Sequence, residues 1–430
     1  YEYCELLITG SGPKGLARAY AAAKTGAKVI LAEDKPRFGG SLLTSDVNIG
    51  NQTGVEWTEK IIAELKSMPN VTVKNRSQVF GYYDHNMLVM SERISDHLPK
   101  TQKYLPKQRL WYIRANEVLI SSGSIERPLV FGNNDTPGVM LSSAAKEYMK
   151  VYGVLVGKKP LIFTNNDSGY ETAIEFKKNG VNPIILDTRS DPSSDIIAEA
   201  KNLNIEIKFS HVVVAAKGYK KVKSADIAKI SDDKKELFNI ENIECDCICV
   251  SGFWTPSIHL ASQSGNKSKF NEKIDAFVPD KSKQQENTIG SANGIFTLEE
   301  TIKDAFDKGF DVSNKITEKN NKVSVPTVVE KKSTDHDKFW CVPLPKGKSY
   351  KRFLDFQNDV AVSDIELALR EGFRSIEHVK RYTTLGMATD QGKTSNLNGL
   401  QLVSDIENKV VPQVGHTTFR PPYTPVSIGA

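Results

Sequence analysis

The stretch "ELLITGSGPKGLARAYAAAKTGAKVILAED", residues 5–34, predicts a strand, a glycine turn, a helix and a second strand that ends in acidic residues. The turn carries a G-x-G-x-x-G pattern at Gly10, Gly12 and Gly15, with Pro13 at the start of the helix. In such a unit the first glycine permits the tight turn, the second lets backbone approach a pyrophosphate, and the third allows close helix packing. The helix N-terminus favours an anionic diphosphate. We therefore predict a dinucleotide-binding βαβ unit here.

The acid that ends the second strand refines this prediction. Glu33 stands at the spacing of the carboxylate that accepts a hydrogen bond from a ribose 2′-OH and repels a 2′-phosphate. NADP is therefore disfavoured, whereas FAD and NAD are not separated because both present the same adenosine diphosphate. Two further glycine segments, "RFGGSLL" and "EVLISSG", and a turn before a later helix complete the predicted site. The additional contacts are Asp34, Gly39, Gly40, Ser41, Ser122, Gly123 and Gly294.

A second βαβ pattern begins at about Lys158, with a strand, a helix and a strand that ends at Asp187. Its turn, residues 164–169, lacks the glycines that would let backbone approach a pyrophosphate, and Asp167 would repel one. We predict a structural domain whose nucleotide site is empty or lost. The predicted class is α/β, with two Rossmann-like (FAD/NAD(P)-binding) domains, the second inserted in the first.

Composition excludes several other functions. The net charge of +5 is a small difference between 57 basic and 52 acidic residues, and no basic block is interleaved with aromatic residues as in a nucleic-acid surface. No run of 18 apolar residues is present, and the opening residues lack the features of a signal peptide. We predict no nucleic-acid partner, no membrane span and a cytoplasmic location.

The cysteines and histidines do not form a recognisable reactive motif. Five cysteines is an odd number, and none belongs to a Cys-x-x-Cys pair, which argues against a disulfide framework and a dithiol redox motif. Strand alternation would place Cys245, Cys247 and Cys249 on one face, where buried cysteines act as small hydrophobic residues more often than as metal ligands. His259 and His378 are predicted to be structural. We predict no catalytic residue and no metal site.

The second half of the chain adds a small helical module. A lysine-rich polar segment from Asp311 to Lys338 is typical of a linker. The residues after it predict two helices, capped by Ser363 and Ser375. The predicted divisions are 1–157 and 245–312 for the dinucleotide-binding domain, 158–244 for the inserted domain, 313–338 for the linker, 339–410 for the helical module and 411–430 for the approach to a further domain.

Four long segments carry a resemblance to a known family. They are "SSGSIERPLVFGNNDTPGVM", "VSGFWTPSIHLASQSG", the stretch from "FLDFQNDV" to "DQGKTSN", and "HTTFRPPYTPVSIGA". Together they resemble the alpha subunits of heterotetrameric sarcosine oxidases, over essentially all 430 residues. The resemblance implies an internal fragment that lacks an N-terminal ferredoxin-like domain and a C-terminal aminomethyltransferase-like domain.

The resemblance also implies cofactors and partners. The alpha subunit of this family holds non-covalent NAD+, an FMN lies at the interface with the beta subunit, and the beta subunit carries FAD and oxidises sarcosine. Gamma and delta subunits complete the complex. Sarcosine is demethylated to glycine, electrons pass through the flavins to oxygen to give H2O2, and the one-carbon unit leaves as formaldehyde or as 5,10-methylenetetrahydrofolate.

The helical module resembles the [2Fe-2S] domain of related amine and opine oxidoreductases, whose pattern is Cys-x-Cys followed by Cys-Gln-Gly-x-x-Cys. The four ligand positions fall on Asp355, Gln357, Asp390 and Ser395, and none of them is a cysteine. Because iron–sulfur clusters are held by thiolates, we predict that the module keeps the fold without a cluster.

Several functional alternatives stay open at this point. The main hypothesis is the NAD-binding alpha subunit of a sarcosine oxidase, in which Lys380, Arg381 and Lys393 either meet the FMN phosphate or form a solvated face. One alternative is a self-contained flavoprotein reductase with FAD on the first glycine motif and NADH on the second domain. Others are a purely structural subunit, or the alpha subunit of a related dimethylglycine or opine oxidase, since the amine would be selected on the partner.

Overall fold

The computed structural model describes residues 1–99, 104–298, 327–329 and 335–427. The chain divides into two compact units, each built from separated segments. Unit 1 comprises Tyr1–Ser124, Pro256–Glu330 and Thr418–Ala430, and unit 2 comprises Ile125–Thr255 and Lys331–Thr417. The predicted linker, 313–338, lies outside the described residues except for 327–329 and 335–338.

The strands in the described part of the chain are short, except for β1, β8 and the strands of one meander. They are β1 (Glu2–Thr9), β2 (Val29–Ala32), β3 (Asn48–Ile49), β4 (Gln52–Thr53), β5 (Val71–Lys74), β6 (Ser77–Tyr83), β7 (Met87–Arg93), β8 (Gln108–Ile120), β9 (Ser124–Glu126), β10 (Val139–Leu141), β11 (Pro160–Thr164), β12 (Ile184–Asp187), β13 (Glu206–Phe209), β14 (His211–Gly218), β15 (Val222–Ile230), β16 (Leu237–Glu244), β17 (Cys247–Ser251), β18 (Trp254–Pro256), β19 (Ser268–Asn271), β20 (Ala276–Pro279), β21 (Glu286–Thr288), β22 (Val328–Val329), β23 (Phe353–Asp355) and β24 (Val360–Ala361).

The described α-helices are α1 (Pro13–Lys24), α2 (Gly54–Ser67), α3 (Ser142–Tyr152), α4 (Ser168–Lys178), α5 (Asp195–Asn202), α6 (His259–Gln263), α7 (Val362–Arg370), α8 (Ile376–Thr383), α9 (Asn396–Glu407) and α10 (Val411–Val414). Two 3₁₀ helices, Gly40–Leu43 and Gly290–Asn293, lie in unit 1, and each begins with a glycine. None of the described helices is both long and apolar enough to span a bilayer.

The main sheet of unit 1 has the strand order β5-β2-β1-β8-β7-β6. Strands β5, β2, β1 and β8 are parallel, and β21 adds to β8 in parallel. On the other side β7 pairs antiparallel with β8, and β6 pairs antiparallel with β7. From β1 the chain runs first to β2 and β5 on one side and later to β8 on the other. The carboxyl ends of β1 and β8 therefore form the topological switch point, the place where open α/β sheets bind ligands.

Two hydrophobic clusters cover the faces of this sheet. The cluster on the side of α1 and α2 contains Leu16, Leu65 and Ile8, and the other contains Leu7, Val118 and Tyr82. Alternate residues of β1 thus point to opposite faces, as strand geometry requires. The alanines of α1 are almost all buried, so the helix lies close to the strands and its N-terminus is held at the switch point.

Unit 2 contains a five-stranded parallel sheet in the order β10-β17-β11-β12-β13 and an antiparallel meander of β14, β15 and β16. The predicted α/β class with two Rossmann-like units is confirmed. The divisions differ from the predicted ones, because β10 and β17 pair in parallel next to β11. Residues 125–157 and 245–255 therefore belong to unit 2, and the chain returns to unit 1 at Pro256.

Strand alternation had predicted that the three cysteines near β17 lie on one face, and this prediction is wrong. Cys247 and Cys249 lie together with their Sγ atoms 3.5 Å apart, whereas Cys245 packs in a different cluster. The alternation begins only at Cys247, because the carboxylate of Asp246 accepts hydrogen bonds from the backbone of Lys158 and Lys159 and turns the chain there.

The helical module belongs to unit 2 and begins with the antiparallel β23–β24 hairpin. Ser375 is at the N-cap of α8, as predicted, but Ser363 lies inside α7, whose N-cap is Ala361. The backbone N–H of Ala361 instead donates to Oδ2 of Asp364 at 2.8 Å. The start of α7 is thus held by the carboxylate of Asp364 in the first turn, and the prediction of a Ser363 cap is wrong.

Candidate dinucleotide-binding site

The loop between β1 and α1 is shaped by two glycines that no other residue could replace without movement. Gly10 has φ +97°, and a Cβ there would lie 2.3 Å from the carbonyl oxygen of Ser121. A Cβ on Gly15 would lie 2.1 Å from the carbonyl oxygen of Gly10. The loop is therefore packed tightly between the ends of β1 and β8, and both predicted glycines have a structural reason.

Gly12 differs from its two neighbours in the motif. It is the N-cap of α1, its φ of −62° is accessible to any residue, and nothing lies within 4 Å of a Cβ built on it. Pro13 follows at the first helical position, and no acidic side chain occupies the first turn. The backbone of Gly12 thus faces open space at a helix N-terminus, the environment that accepts a diphosphate.

The second glycine pair packs directly against this loop. A Cβ on Gly40 would lie 2.9 Å from Cα of Gly12. Gly39 has φ +120°, and its backbone N–H lies 3.1 Å from both the carbonyl oxygen and the hydroxyl of Ser11. Ser41 follows in the 3₁₀ helix Gly40–Leu43. The structure therefore brings the two glycine segments to one place.

Glu33 is tied to the same loop. Its Oε2 accepts hydrogen bonds from the backbone N–H and the hydroxyl of Ser11 at 2.8 and 2.5 Å, and its Oε1 accepts one from the backbone N–H of Lys35 at 3.0 Å. Burial, together with the neighbouring Asp34, raises the pKa of Glu33 to about 7. A carboxylate has room for about four hydrogen bonds, so these contacts leave acceptor capacity for a ribose hydroxyl.

Ser11 is the residue that the sequence analysis missed. It is fully buried and contacts both Glu33 and Gly39. It occupies a variable position of the G-x-G-x-x-G pattern, so the pattern gives no signal for it. Only the fold, which brings the ends of β1 and β2 together, shows that Ser11 connects Glu33 to the second glycine pair.

The end of β8 supplies two more predicted residues. The hydroxyl of Ser122 donates to the carbonyl oxygen of Ser257 at 2.9 Å, and the carbonyl of Gly123 accepts from the backbone N–H of Ser257 at 3.0 Å. Gly123 has φ +77° and an almost open Cβ position. Both residues lie at the switch point, with the Ser122 hydroxyl held by protein.

Gly294, the last predicted contact, has a different environment. It ends the 3₁₀ helix Gly290–Asn293 with φ +76°, and a Cβ there would lie 2.9 Å from the side chain of Ile274. Turn geometry and packing therefore explain it. Gly290, with φ +72°, is the glycine beside α1, since a Cβ there would lie 3.3 Å from Cδ of the buried Lys14.

Comparison with known proteins identifies the relatives of this arrangement. The family model described as pyridine nucleotide-disulphide oxidoreductase matches residues 4–286, more than half of the chain. The chain belongs to this family. In this member of the pyridine nucleotide-disulphide oxidoreductase family, residues 349–430 also match a model described as the sarcosine oxidase A3 domain.

Sarcosine oxidase alpha subunits align with the whole chain. The chain is 37% identical over 436 residues to the sarcosine oxidase subunit alpha of Rhizobium meliloti (strain 1021), covering 100% of this chain and 42% of that protein. It is 32% identical over 439 residues to the sarcosine oxidase subunit alpha of Corynebacterium sp. (strain P-1), covering 100% of this chain and 45% of that protein. The chain thus spans less than half the length of these relatives.

A solved structure supports the fold. The L-proline dehydrogenase from P. horikoshii is similar with a TM-score of 0.66 and 19% identity, covering 99% of this chain and 79% of that one. At this identity the likeness concerns the fold alone. It fits the α/β architecture that the pyridine nucleotide-disulphide oxidoreductase family shares.

The second βαβ turn of this oxidoreductase family member is filled by its own side chains. The carboxylate of Asp187 is fully buried and accepts hydrogen bonds from the hydroxyl of Tyr170 at 2.7 Å and the guanidinium of Arg189 at 2.8 Å. Arg189 also pairs with Asp167 at 2.9 Å, at the N-cap of α4. The acid that would meet a ribose and the turn that would meet a phosphate are thus joined by an internal ion pair.

The loop itself, residues 164–169, is hydrogen-bonded to unit 2 on several sides. Asn166 donates to the carbonyl oxygen of Ser251 at 3.0 Å and accepts from the backbone N–H of Ser168 at 2.9 Å. A Cβ on Gly169 would lie 2.6 Å from Cβ of Thr164. A first-turn N–H of α4 is therefore already bound by protein.

The positions aligned with cluster ligands lie on neighbouring turns of the helical module. The carboxylate of Asp355 is buried and accepts hydrogen bonds from the backbone N–H groups of Gln357, Asn358 and Gly386, at 2.9, 3.2 and 2.7 Å. Gln357 accepts from the hydroxyl of Thr389 at 3.3 Å. The first of these turns is thus held by carboxylate hydrogen bonds.

The other two positions follow in the next turn. Asp390 accepts from the backbone N–H of Gly392 at 3.0 Å, and the buried Ser395 is the N-cap of α9. Among the described residues, no group of three or more His, Cys, Asp or Glu side chains is arranged to hold a metal ion. Arg381, proposed for a phosphate contact, pairs with Glu377 at 3.3 Å on an exposed helix face.

Burial favours the thiol form of three cysteines in this family member. Burial raises the pKa of Cys4 and Cys245 to about 12 and that of Cys341 to about 11. None of the five cysteines belongs to a Cys-x-x-Cys pair. Since the thiolate is the reactive form, these three cysteines are not suited to thiol chemistry.

Proposed function

We propose that this chain is the dinucleotide-binding part of a sarcosine oxidase alpha subunit and that it holds NAD+ at the Gly10–Gly15 loop. The observation that carries the proposal is the junction of Ser11, Glu33 and Gly39 at the N-terminus of α1. This junction provides an open backbone for the diphosphate and a carboxylate for the ribose. The likeness to two sarcosine oxidase alpha subunits, which covers the whole of this chain, supports the assignment to such a subunit. NAD+ rather than FAD is what the family resemblance of the sequence implies.

The role of the nucleotide is that of a resident cofactor rather than of a reductant in this chain. A self-contained reductase needs a second nucleotide-binding site. In unit 2 the corresponding position is filled by the ion pair between Arg189 and Asp187. We therefore assign the oxidation of sarcosine to a FAD-bearing beta subunit. FMN at an interface with that subunit would carry the electrons toward oxygen.

The remaining elements of the proposal follow from the family resemblance of the sequence. The complete protein would act with beta, gamma and delta subunits in the cytoplasm and yield glycine and H2O2. The one-carbon unit would leave as formaldehyde or, on a further domain of the complete protein, as 5,10-methylenetetrahydrofolate. The predicted set of contact residues is part of this proposal.

The test is to purify the chain, denature it and identify the released nucleotide by mass spectrometry. NAD+ without FAD, in a near-equimolar amount, is the expected result. FAD in its place would favour the self-contained reductase. No nucleotide at all, from a chain that is folded by circular dichroism, would favour a structural subunit and contradict the proposal.

A further inference from the structure

A cavity of about 340 Å³ opens directly beyond Glu33 in unit 1. One side is formed by Asp34, Lys35 and Pro36, the residues that follow the ribose-binding acid. Because the glycine loop and Glu33 bind the adenosine diphosphate half of a dinucleotide, the base lies on the far side of the ribose from the diphosphate. The cavity is therefore placed at the adenosine end of the site.

The opposite side of this cavity comes from a distant part of the sequence. Thr424, Pro425 and Val426 line it, and they belong to the segment Thr418–Ser427, which we call the strap. The strap belongs to unit 1, although the residues before it belong to unit 2. More than 380 residues of chain thus separate the two walls of one cavity in the sequence.

The strap is held on the sheet by two hydroxyl groups. The hydroxyl of Thr424 donates to Oε1 of Gln78 on β6 at 3.2 Å, and the hydroxyl of Ser427 donates to Oε1 of Gln108 on β8 at 3.0 Å. Both are side-chain contacts at the rim of the cavity. They are few and replaceable, so they can be removed without altering the core.

Aromatic packing fixes the middle of the strap. Tyr423 is buried in the same hydrophobic cluster as Leu7 and Val118 of the main sheet, and burial raises its pKa to about 12, against the opposing effect of a hydrogen bond from Gln78. The ring of His259 lies 4.0 Å from that of Phe419 and 5.1 Å from that of Tyr423, between ring centroids. His259 is therefore a packing partner of the strap.

The cavity has the chemistry of a base and ribose pocket. Phe80 and the two prolines offer apolar surface, and Arg76 and Arg93 offer planar guanidinium groups that stack on aromatic rings. Its volume is adequate for an adenine ring. A ligand that entered here would contact both Lys35 and the strap.

We propose that the strap is a functional part of the dinucleotide site, which it closes at the adenosine end so that NAD+ is a slowly exchanging resident. This inference rests on the proposed function, since it requires a dinucleotide at the Gly10–Gly15 loop. Release of the adenosine then requires the strap to leave β6 and β8. A site without such a closure would exchange its nucleotide at each encounter, as a co-substrate site does.

The test measures nucleotide exchange in the purified complex. The protein is loaded with isotope-labelled NAD+ and diluted into unlabelled NAD+, and the retained label is followed by desalting and mass spectrometry. The variant T424V/S427A removes both strap hydrogen bonds at nearly constant side-chain volume. The control T72V/S67A makes the same chemical changes on β5 and α2, outside the strap and the cavity.

The strap variant is expected to release label about thirtyfold faster than the parent, because two hydrogen bonds of roughly 1 kcal/mol each are lost. The control is expected to match the parent. Y423F, which keeps the ring and removes the hydroxyl, should give an intermediate rate at an unchanged unfolding temperature. Equal release rates in all four proteins would contradict the role of the strap in slowing NAD+ exchange, while leaving the proposed NAD+ binding intact. Absence of NAD+ from all four proteins would contradict both the proposed function and the proposed closure by the strap.

Discussion

The carboxylate of Glu33 accepts hydrogen bonds from both the backbone N–H and the hydroxyl of Ser11, at 2.8 and 2.5 Å. The acid at the end of β2, predicted to contact a ribose, therefore also fixes the loop that would meet the diphosphate. Through Ser11 the same contact reaches Gly39, so that three segments of unit 1 are held by one buried side chain.

Ser11→Ala tests this relationship. The variant removes the hydroxyl but keeps the backbone N–H that donates to Glu33, so the fold should persist. A hydrogen bond to a charged group contributes about 1.5 to 3 kcal/mol, and we expect NAD+ affinity to fall about tenfold or more, measured by calorimetry. Ser67→Ala, whose hydroxyl bonds only a helix carbonyl, is the matched control. Unchanged affinity in Ser11→Ala would show that Glu33 acts without the loop.

The raised pKa of Glu33 predicts a pH dependence of stability. Its ordinary value is 4.5 and its value in the fold is about 7, so the folded protein binds more protons than the unfolded chain between these pH values. The Glu33 contribution to stability is therefore largest below about pH 4.5, falls as pH rises to about 7, and is constant above that. Subtracting the unfolding free energies of Glu33→Gln from those of the parent, at each pH, should reveal this slope. A flat difference would contradict it.

Two alanine substitutions separate the roles of the loop glycines. Gly12→Ala introduces a methyl group into open space, so it should leave the unfolding temperature unchanged and abolish retention of NAD+ because the methyl blocks the diphosphate. Gly15→Ala places Cβ 2.1 Å from the Gly10 carbonyl and should destabilise unit 1 by about 3 kcal/mol or more. Thermal unfolding and nucleotide content, measured on both variants, check the contrast. Retention of NAD+ by Gly12→Ala would place the diphosphate elsewhere.

The local βαβ unit was predictable, because its signals are contiguous in the sequence. The glycine turn, the alanine-rich helix and the acid-terminated strand correspond to β1, α1 and β2, and they bring Gly10, Gly12, Gly15 and Glu33 together. The unit divisions were not predictable in the same way. The strands Val139–Leu141 and Cys247–Ser251 belong to unit 2 because they pair with each other and the second also pairs with Pro160–Thr164. Nothing in the residues of these two strands indicates which strand they pair with.

The site shows the same limit. In the sequence Gly294 resembles a glycine that precedes a helix at the ligand. In the structure the glycine that lies beside Lys14 of α1 is Gly290. The reason is that β21 pairs with β8 and so sets the position of the turn that follows it. The contact of Thr424 with Gln78 joins residues 346 positions apart, which no local pattern encodes. Binding of NAD+ by the predicted residues stays a prediction.

The ion pair in unit 2 yields a prediction of a different kind. Arg189→Ala would leave the buried carboxylates of Asp167 and Asp187 without their cation, which typically costs about 3 to 5 kcal/mol. Arg374→Ala breaks an exposed pair with Glu407 and should cost less than about 1 kcal/mol. Denaturant unfolding compares the two, and NAD+ content should be unchanged in the folded fraction of each. Loss of NAD+ from the folded Arg189→Ala protein would instead support a nucleotide-binding site in unit 2.

Asp355 offers the sharpest test of the helical module. A cluster-binding relative would have a thiolate here, whereas this carboxylate accepts from the backbone N–H groups of Gln357, Asn358 and Gly386. Asp355→Ala leaves three buried or half-buried donors without their acceptor, and each such loss costs about 1 to 3 kcal/mol, so the module should unfold at clearly lower denaturant concentration. Gln357→Ala, in the same turn, loses a single weak contact with Thr389 and should behave like the parent. Asp355→Asn keeps one acceptor oxygen and should fall between them. If Asp355→Ala is as stable as Gln357→Ala, the carboxylate is not what holds the module together.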